Sequence, residues 1–110
     1  MTSERGARID AATSGSATVV TIAGEVDIYS SPVVRERVLE LIDGRPKVVL
    51  DFRDVTFIDS TGVAVFIAAR RQAEQQSTEL TVRASGQVHK VLEMVGLTKY
   101  LTLENGDTSL

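Results

Sequence analysis

No cysteine and no tryptophan occur in this chain of 110 residues, and there is a single histidine, His89. The first absence excludes disulfides, thiolate nucleophiles and cysteine-based metal sites, and allows a reducing compartment. One histidine excludes a multi-histidine metal centre. Aromatic residues are few, three Phe and two Tyr, too few to build a base-stacking platform. No basic excess exists either. The formal net charge is −3, which argues against direct nucleic-acid binding. The longest apolar run, Val63 to Ala69, falls far short of the ~20 residues that span a bilayer. The opening residues are polar and lack the apolar stretch of a signal peptide. These absences lead to the expectation of a cytoplasmic protein with no membrane anchor. Proportions of 43% hydrophobic and 25% charged residues fit one globular domain with one core.

What is present is an alternation of strand and helix signals. Met1 to about Arg8 reads as a polar tail. Ile9–Thr13 reads as a short edge strand, Ser14-Gly15-Ser16 as a turn, and Ala17–Ala23 as a second strand, together a hairpin. Gly24-Glu25-Val26-Asp27 reads as a strand end entering a loop. Ser31-Pro32 reads as a helix start, with serine as N-cap and proline at the first helical position. Val34, Val38, Leu41 and Ile42 then recur at helical spacing. Gly44 and Pro46 close that helix. Val48–Phe52 reads as a buried strand, and Asp54–Ile58 as a crossing to Asp59. A second helix spans about Ser60 to Gln75. Glu79–Arg83 is a strand. A third helix carries Val88, Val91, Leu92 and Val95 on one face, with Gly96 as its stop. Tyr100–Leu103 reads as a last short strand, followed by a polar tail. The whole predicts an α/β domain: a mostly parallel central sheet opened by an N-terminal hairpin, with helices connecting the strands. The expected ordered core runs from about 9 to 103 within one domain of residues 1–110.

Asp59-Ser60-Thr61-Gly62 is the densest chemical signal. It places two hydroxyls and a glycine where a helix begins, with free backbone N–H groups and the positive end of a helix dipole, a favourable place for phosphate. The plain alternative is that Ser60 only caps the helix. Gly62 near the first turn costs about 1 kcal/mol against alanine, which suggests close approach by another chain or a ligand. The helix is apolar on nearly every face from Val63 to Ala69, so one face packs on the sheet and another is covered by a partner or by the first helix. If the strands of Val19–Ala23 and Val48–Phe52 are parallel neighbours, Asp27 and Ser60 share one sheet edge, where ligands and partners of parallel sheets bind.

Asp51 resembles at first sight the phospho-acceptor of a receiver domain. That reading needs an acidic pair after the first strand to hold magnesium, and Thr13–Ala17 has none. His89 reads as a helix-edge histidine. No Ser-His-Asp arrangement and no glycine-rich phosphate loop stands out, so no catalytic residue, cofactor or metal ligand is assigned.

Gly24-Glu25-Val26-Asp27, Val48-Val49-Leu50-Asp51-Phe52, Thr56-Phe57-Ile58-Asp59-Ser60-Thr61-Gly62-Val63 and Val91-Leu92-Glu93-Met94-Val95-Gly96-Leu97 occur in an order and spacing that resembles the anti-sigma factor antagonists of bacteria. These are small members of the STAS fold, named for sulfate transporters and anti-sigma antagonists. The resemblance covers about Ile9 to Leu103, with Val63 standing where leucine is common. It implies a phosphoprotein of partner-switching signalling, not an enzyme. Unphosphorylated, such a protein binds an anti-sigma factor that is also an ATP-dependent serine kinase, and so frees a sigma factor for transcription. The kinase phosphorylates the serine after the aspartate, here Ser60, and a metal-dependent serine phosphatase reverses this. Asp27, Asp59, Ser60, Thr61, Gly62 and Val63 are implied at the contact surface. Two other readings stay open: a ligand-sensing or scaffold STAS domain in another signalling complex, and an enzyme using Ser60 as nucleophile.

Overall fold

The computed structural model describes residues 2–4 and 6–104. Five strands form one sheet in the order β1-β2-β3-β4-β5: β1 Thr2–Glu4, β2 Ala7–Ser14, β3 Ala17–Val26, β4 Lys47–Ile58 and β5 Glu79–Arg83. Three helices connect or follow them: α1 Ser31–Ile42, α2 Ser60–Gln76 and α3 Gly86–Met94. β2 and β3 form the expected hairpin, antiparallel, turning at Gly15 with φ +63°. From β3 onward the pairing is parallel, β3 to β4 and β4 to β5. Each parallel step needs a crossover, and α1 and α2 supply them.

Register puts Ile9 beside Ile22, and Val20 beside Leu50 beside Val82. Paired residues point to the same face of a sheet, and these five are buried. Val34, Val38 and Ile42 of α1, Val65, Phe66 and Ala69 of α2, and Val88 and Leu92 of α3 join them in one core cluster. Phe52 and Phe66 meet there with ring centroids 4.4 Å apart at 45°, a tilted contact typical of packed aromatics. The apolar breadth of α2 is accounted for within the chain. α1 packs alongside it, and Gln72 Nε2 of α2 donates to the Leu39 carbonyl at 2.6 Å.

Several boundaries differ from expectation. Residues 2–4 and Ala7–Arg8 are strand rather than polar tail, because Ala7 and Ile9 alternate inward onto the core. Gly24-Glu25-Val26 remains in β3, since Val26 pairs with Ile58 and is fully buried. β4 does not stop at Phe52 but runs on to Ile58, through register shifts between Thr21 and Ala23 and between Gly24 and Glu25. Such irregularities break the two-residue period that a sequence reading relies on. Ser30, not Ser31, occupies the N-cap position of α1, and its side chain makes no capping bond there. Val95 is half exposed beyond the end of α3 rather than on its buried face. The last strand reduces to a single parallel bridge between Leu103 and Val82. The expected C-terminal tail lies from residue 105 outside the described residues.

Candidate functional site

β3 and β4 are parallel neighbours whose last residues, Val26 and Ile58, are paired. The next residues of each, Asp27 and Asp59, therefore leave the sheet at the same edge. The Asp59 N–H donates to the Val26 carbonyl at 3.3 Å and ties the two exits together. The expected meeting of Asp27 and Ser60 at one edge follows from this topology.

Asp59, in extended conformation, is the N-cap of α2. Its Oδ1 accepts from the Thr61 N–H at 2.9 Å and the Gly62 N–H at 3.2 Å. It also accepts from the Thr61 hydroxyl at 2.5 Å. Two orphan donors of the helix start are thereby satisfied. Capping therefore belongs to Asp59, and the plain reading of Ser60 as the cap does not apply. Burial pushes the Asp59 carboxyl up, but the Thr61 hydroxyl and the N–H groups of Gly62, Thr61 and Ile28 outweigh it and hold it below the ordinary carboxylate range.

The two hydroxyls of the motif are thus unequal. Thr61 is half-buried and committed to Asp59. Ser60 is exposed, the first residue of α2, and among the described residues its hydroxyl makes no hydrogen bond. A free hydroxyl at the positive end of a helix of 17 residues is open to an incoming electrophile, and the helix end tolerates the anion that would form.

Gly62 and Val63 are buried, so they support this edge from beneath rather than present side chains on it. A Cβ on Gly62 would lie 2.6 Å from Ile58 Cγ1 and 2.7 Å from the Val26 carbonyl oxygen. The close approach suggested by the glycine is real, but it is to β3 and β4 of the same chain and not to a ligand. Without it, α2 could not start so near the paired strand ends.

Asp27 is half-buried and organises the loop beside Ser60. Its Oδ1 accepts from the N–H groups of Tyr29 at 3.0 Å and Ser30 at 3.1 Å. The buried Ser30 hydroxyl donates back to the Glu25 carbonyl at 2.7 Å. Ser30 therefore locks the loop to β3 and leaves the capping of its own turn to Asp27. The sequence reading missed this network. Its only signal was two adjacent serines before Pro32, and they were read one residue out of place.

Asp51 has no free face for a phosphate or a metal. Arg53 holds it in a fork, Nε to Oδ1 at 3.0 Å and a terminal nitrogen to Oδ2 at 2.8 Å. Arg83, its register partner on β5, stands 3.7 Å from Oδ2. Burial raises the Asp51 carboxyl, and the hydrogen bonds and charges of Arg53 with the charge of Arg83 bring it below its ordinary value. Among the described residues no cluster of three metal-ligating side chains exists.

These depressed carboxyls make an acid-limb prediction. A group whose folded pKa lies below its unfolded value, 3.8 for Asp59, contributes stability that is full above the unfolded value. The contribution is lost as pH falls through the folded one. Asp59→Asn keeps a capping oxygen but has no charge to titrate. Urea unfolding should therefore show wild type more stable than Asp59→Asn at neutral pH, with the gap closing below about pH 4. A gap that stays constant with pH would contradict the assignment.

The sequence matches the STAS domain family over residues 8–107. It is 33% identical over 79 residues to the anti-sigma-B factor antagonist of Bacillus subtilis, 71% of this chain and 72% of that protein. The fold superposes on an anti-sigma factor antagonist from Mycobacterium paratuberculosis with a TM-score of 0.81 at 23% identity, covering 92% of this chain and 87% of that one. It also superposes on the phosphorylated form of the Bacillus cell-fate determinant SpoIIAA with a TM-score of 0.67 at 18% identity, covering 91% and 94%.

Proposed function

The chain belongs to the STAS domain family and groups with its anti-sigma factor antagonists, and from that premise we propose a phosphorylation-controlled binding cycle centred on Ser60. Unphosphorylated, the chain binds a serine-kinase anti-sigma factor through the edge formed by Asp27, Asp59, Ser60 and Thr61, with Gly62 and Val63 packed below. Binding releases the sigma factor. The kinase then transfers phosphate from ATP to the Ser60 hydroxyl, and a metal-dependent serine phosphatase removes it. The chain is the substrate in this cycle and the nucleotide chemistry belongs to its partner. The cycle runs in the cytoplasm. Among the described residues no helix is long and apolar enough to cross a membrane.

The observation that carries the reading is the inequality of the two hydroxyls. Thr61 is consumed by Asp59 at 2.5 Å while Ser60 stands exposed at the helix start. A kinase approaching this edge meets one available nucleophile. Two features suit the phosphorylated product to the same fold. The α2 N-terminus favours an anion, and an exposed side chain accommodates bulk without repacking a core. That a related fold exists in a phosphorylated form, SpoIIAA, agrees with this.

The test is intact-mass analysis with peptide mapping after incubation with ATP and each serine-kinase anti-sigma factor of the source genome in turn. Wild type should gain one phosphate on Ser60. Ser60→Ala should gain none, and Thr61→Val should still be phosphorylated. Phosphate on Thr61, or on a residue away from this edge, would contradict the assignment.

A further inference from the structure

Large apolar side chains are conspicuous where they face water. Among the described residues five do so: Ile28 at 62%, Tyr29 at 68%, Phe57 at 42%, Met94 at 78% and Val95 at 53%. Isolated exposed apolar residues are ordinary. Three of these five, however, belong to the edge that carries Ser60. Ile28 follows Asp27 in the loop whose turn the Asp27 carboxylate closes. Tyr29 is held by its N–H to Asp27. Phe57 is two residues before Asp59 and pairs in register with Glu25. None of the three is needed by the core cluster. The backbone that presents them is nevertheless fixed, by Ser30 and Asp27 on one side and by the β3–β4 ladder on the other.

The charge of this edge has one sign. The segments that leave the sheet here, 24–34 and 57–64, carry Glu25, Asp27 and Asp59 and no lysine or arginine, and the nearest arginine along β4, Arg53, is paired with Asp51. A surface with rigid aromatic and aliphatic projections among carboxylates fits a partner with an apolar recess bordered by cations. Buried aromatics at the centre of an interface dominate its energy, and complementary charge around them governs register and on-rate.

We infer that Ile28, Tyr29 and Phe57 are the apolar anchors by which this chain docks on the anti-sigma factor, into a recess lined by lysine or arginine. Tyr29 is the principal anchor: it is the most exposed of the three, and its phenol can bury a ring while keeping a polar tip. The inference rests on the proposed function, since it names what else the partner of Ser60 must touch. It divides the work of the edge. Ser60 decides whether binding is permitted, and the three apolar residues supply most of its strength.

The experiment measures affinity by titration calorimetry, using the purified anti-sigma factor of the source genome that binds wild type. Tyr29→Ser should weaken binding about thirtyfold, and Ile28→Ser and Phe57→Ser about tenfold each. Gln75→Ser, at the far end of α2 and roughly 22 Å along the helix from Ser60, should bind as wild type does. Rising salt should weaken wild-type binding. All four variants replace exposed side chains, so their melting temperatures should stay near that of wild type, and this is checked first. If wild type binds and the three anchor variants bind within about threefold of it, the inference is overturned while the proposed function stands. If no anti-sigma factor of the genome binds wild type, both are overturned.

Discussion

A phosphate on Ser60 is expected to weaken binding to the anti-sigma factor by about 100-fold or more, while leaving the fold as stable as before to within about 1 kcal/mol. The two halves of that expectation have different origins. Inside the chain, the new group stands at the N-terminus of α2, whose dipole favours an anion. It carries about −1.5 to −2 charges at pH 7, and the half-exposed Asp59 and Asp27 oppose it through water-screened repulsion. Those effects nearly offset. Across the interface there is no offset. A partner surface fitted to a small neutral hydroxyl must desolvate a dianion and take up its volume, beside carboxylates that already use the available cations. Like-charge contacts in an interface cost several kcal/mol. The measurement is affinity and melting temperature on chain phosphorylated at Ser60 and purified. Unchanged affinity would contradict the account. A collapse in melting temperature would move the switch from the interface into the fold.

Gly62→Ala is expected to destabilise the chain by about 1–3 kcal/mol, although alanine is the better helix former. The added methyl would meet Ile58 Cγ1 at 2.6 Å and the Val26 carbonyl oxygen at 2.7 Å. Ile58 is buried and paired with Val26, and the Val26 carbonyl already accepts the Asp59 N–H. Neither neighbour can retreat without breaking the ladder that aligns the two strand exits. α2 must move instead, and with it the capping bonds from Asp59. For a domain of this size the melting temperature should fall by roughly 5–15 °C. Affinity for the anti-sigma factor should fall too, because Ser60 would shift with the helix. Gly24→Ala should be at least as costly: Gly24 sits at φ +96°, which L side chains rarely adopt, and its Cβ would collide with the Gly6 carbonyl oxygen that accepts the Glu25 N–H. A Gly62→Ala protein as stable as wild type would show that the start of α2 has slack the packing does not indicate.

Much of this arrangement was legible in the residues, and the parts that were not share a cause. The hairpin, the parallel strands, the helices and the common edge of Asp27 and Asp59 follow from periodicity, turn residues and connection rules, which are local or topological. What failed depended on tertiary contacts. The sequence sets aside the receiver-like reading of Asp51 for want of an acidic pair, but the enclosure of Asp51 by Arg53 and Arg83 is not legible there, because it depends on β5 lying alongside in register. β4 seemed to end at Phe52 because register shifts hide the alternation beyond it. Ser31 and Ser60 both looked like caps by residue type. Asp59 caps α2, while ahead of α1 the Ser30 hydroxyl is taken by the Glu25 carbonyl. Gly62 was read correctly as a point of close approach but assigned to the wrong neighbour. The exposure of Ile28, Tyr29 and Phe57 is not legible in the sequence, because periodicity does not tell which apolar residues near strand ends face water.

The most direct test of the central claim is release of the sigma factor. Fluorescently labelled sigma factor is bound to the anti-sigma factor, and anisotropy is followed as the chain is added, unphosphorylated or phosphorylated on Ser60. The account predicts that unphosphorylated chain frees the sigma factor in a saturable manner and that phosphorylated chain leaves the complex intact. Equal release by both forms, or release by neither, would contradict it.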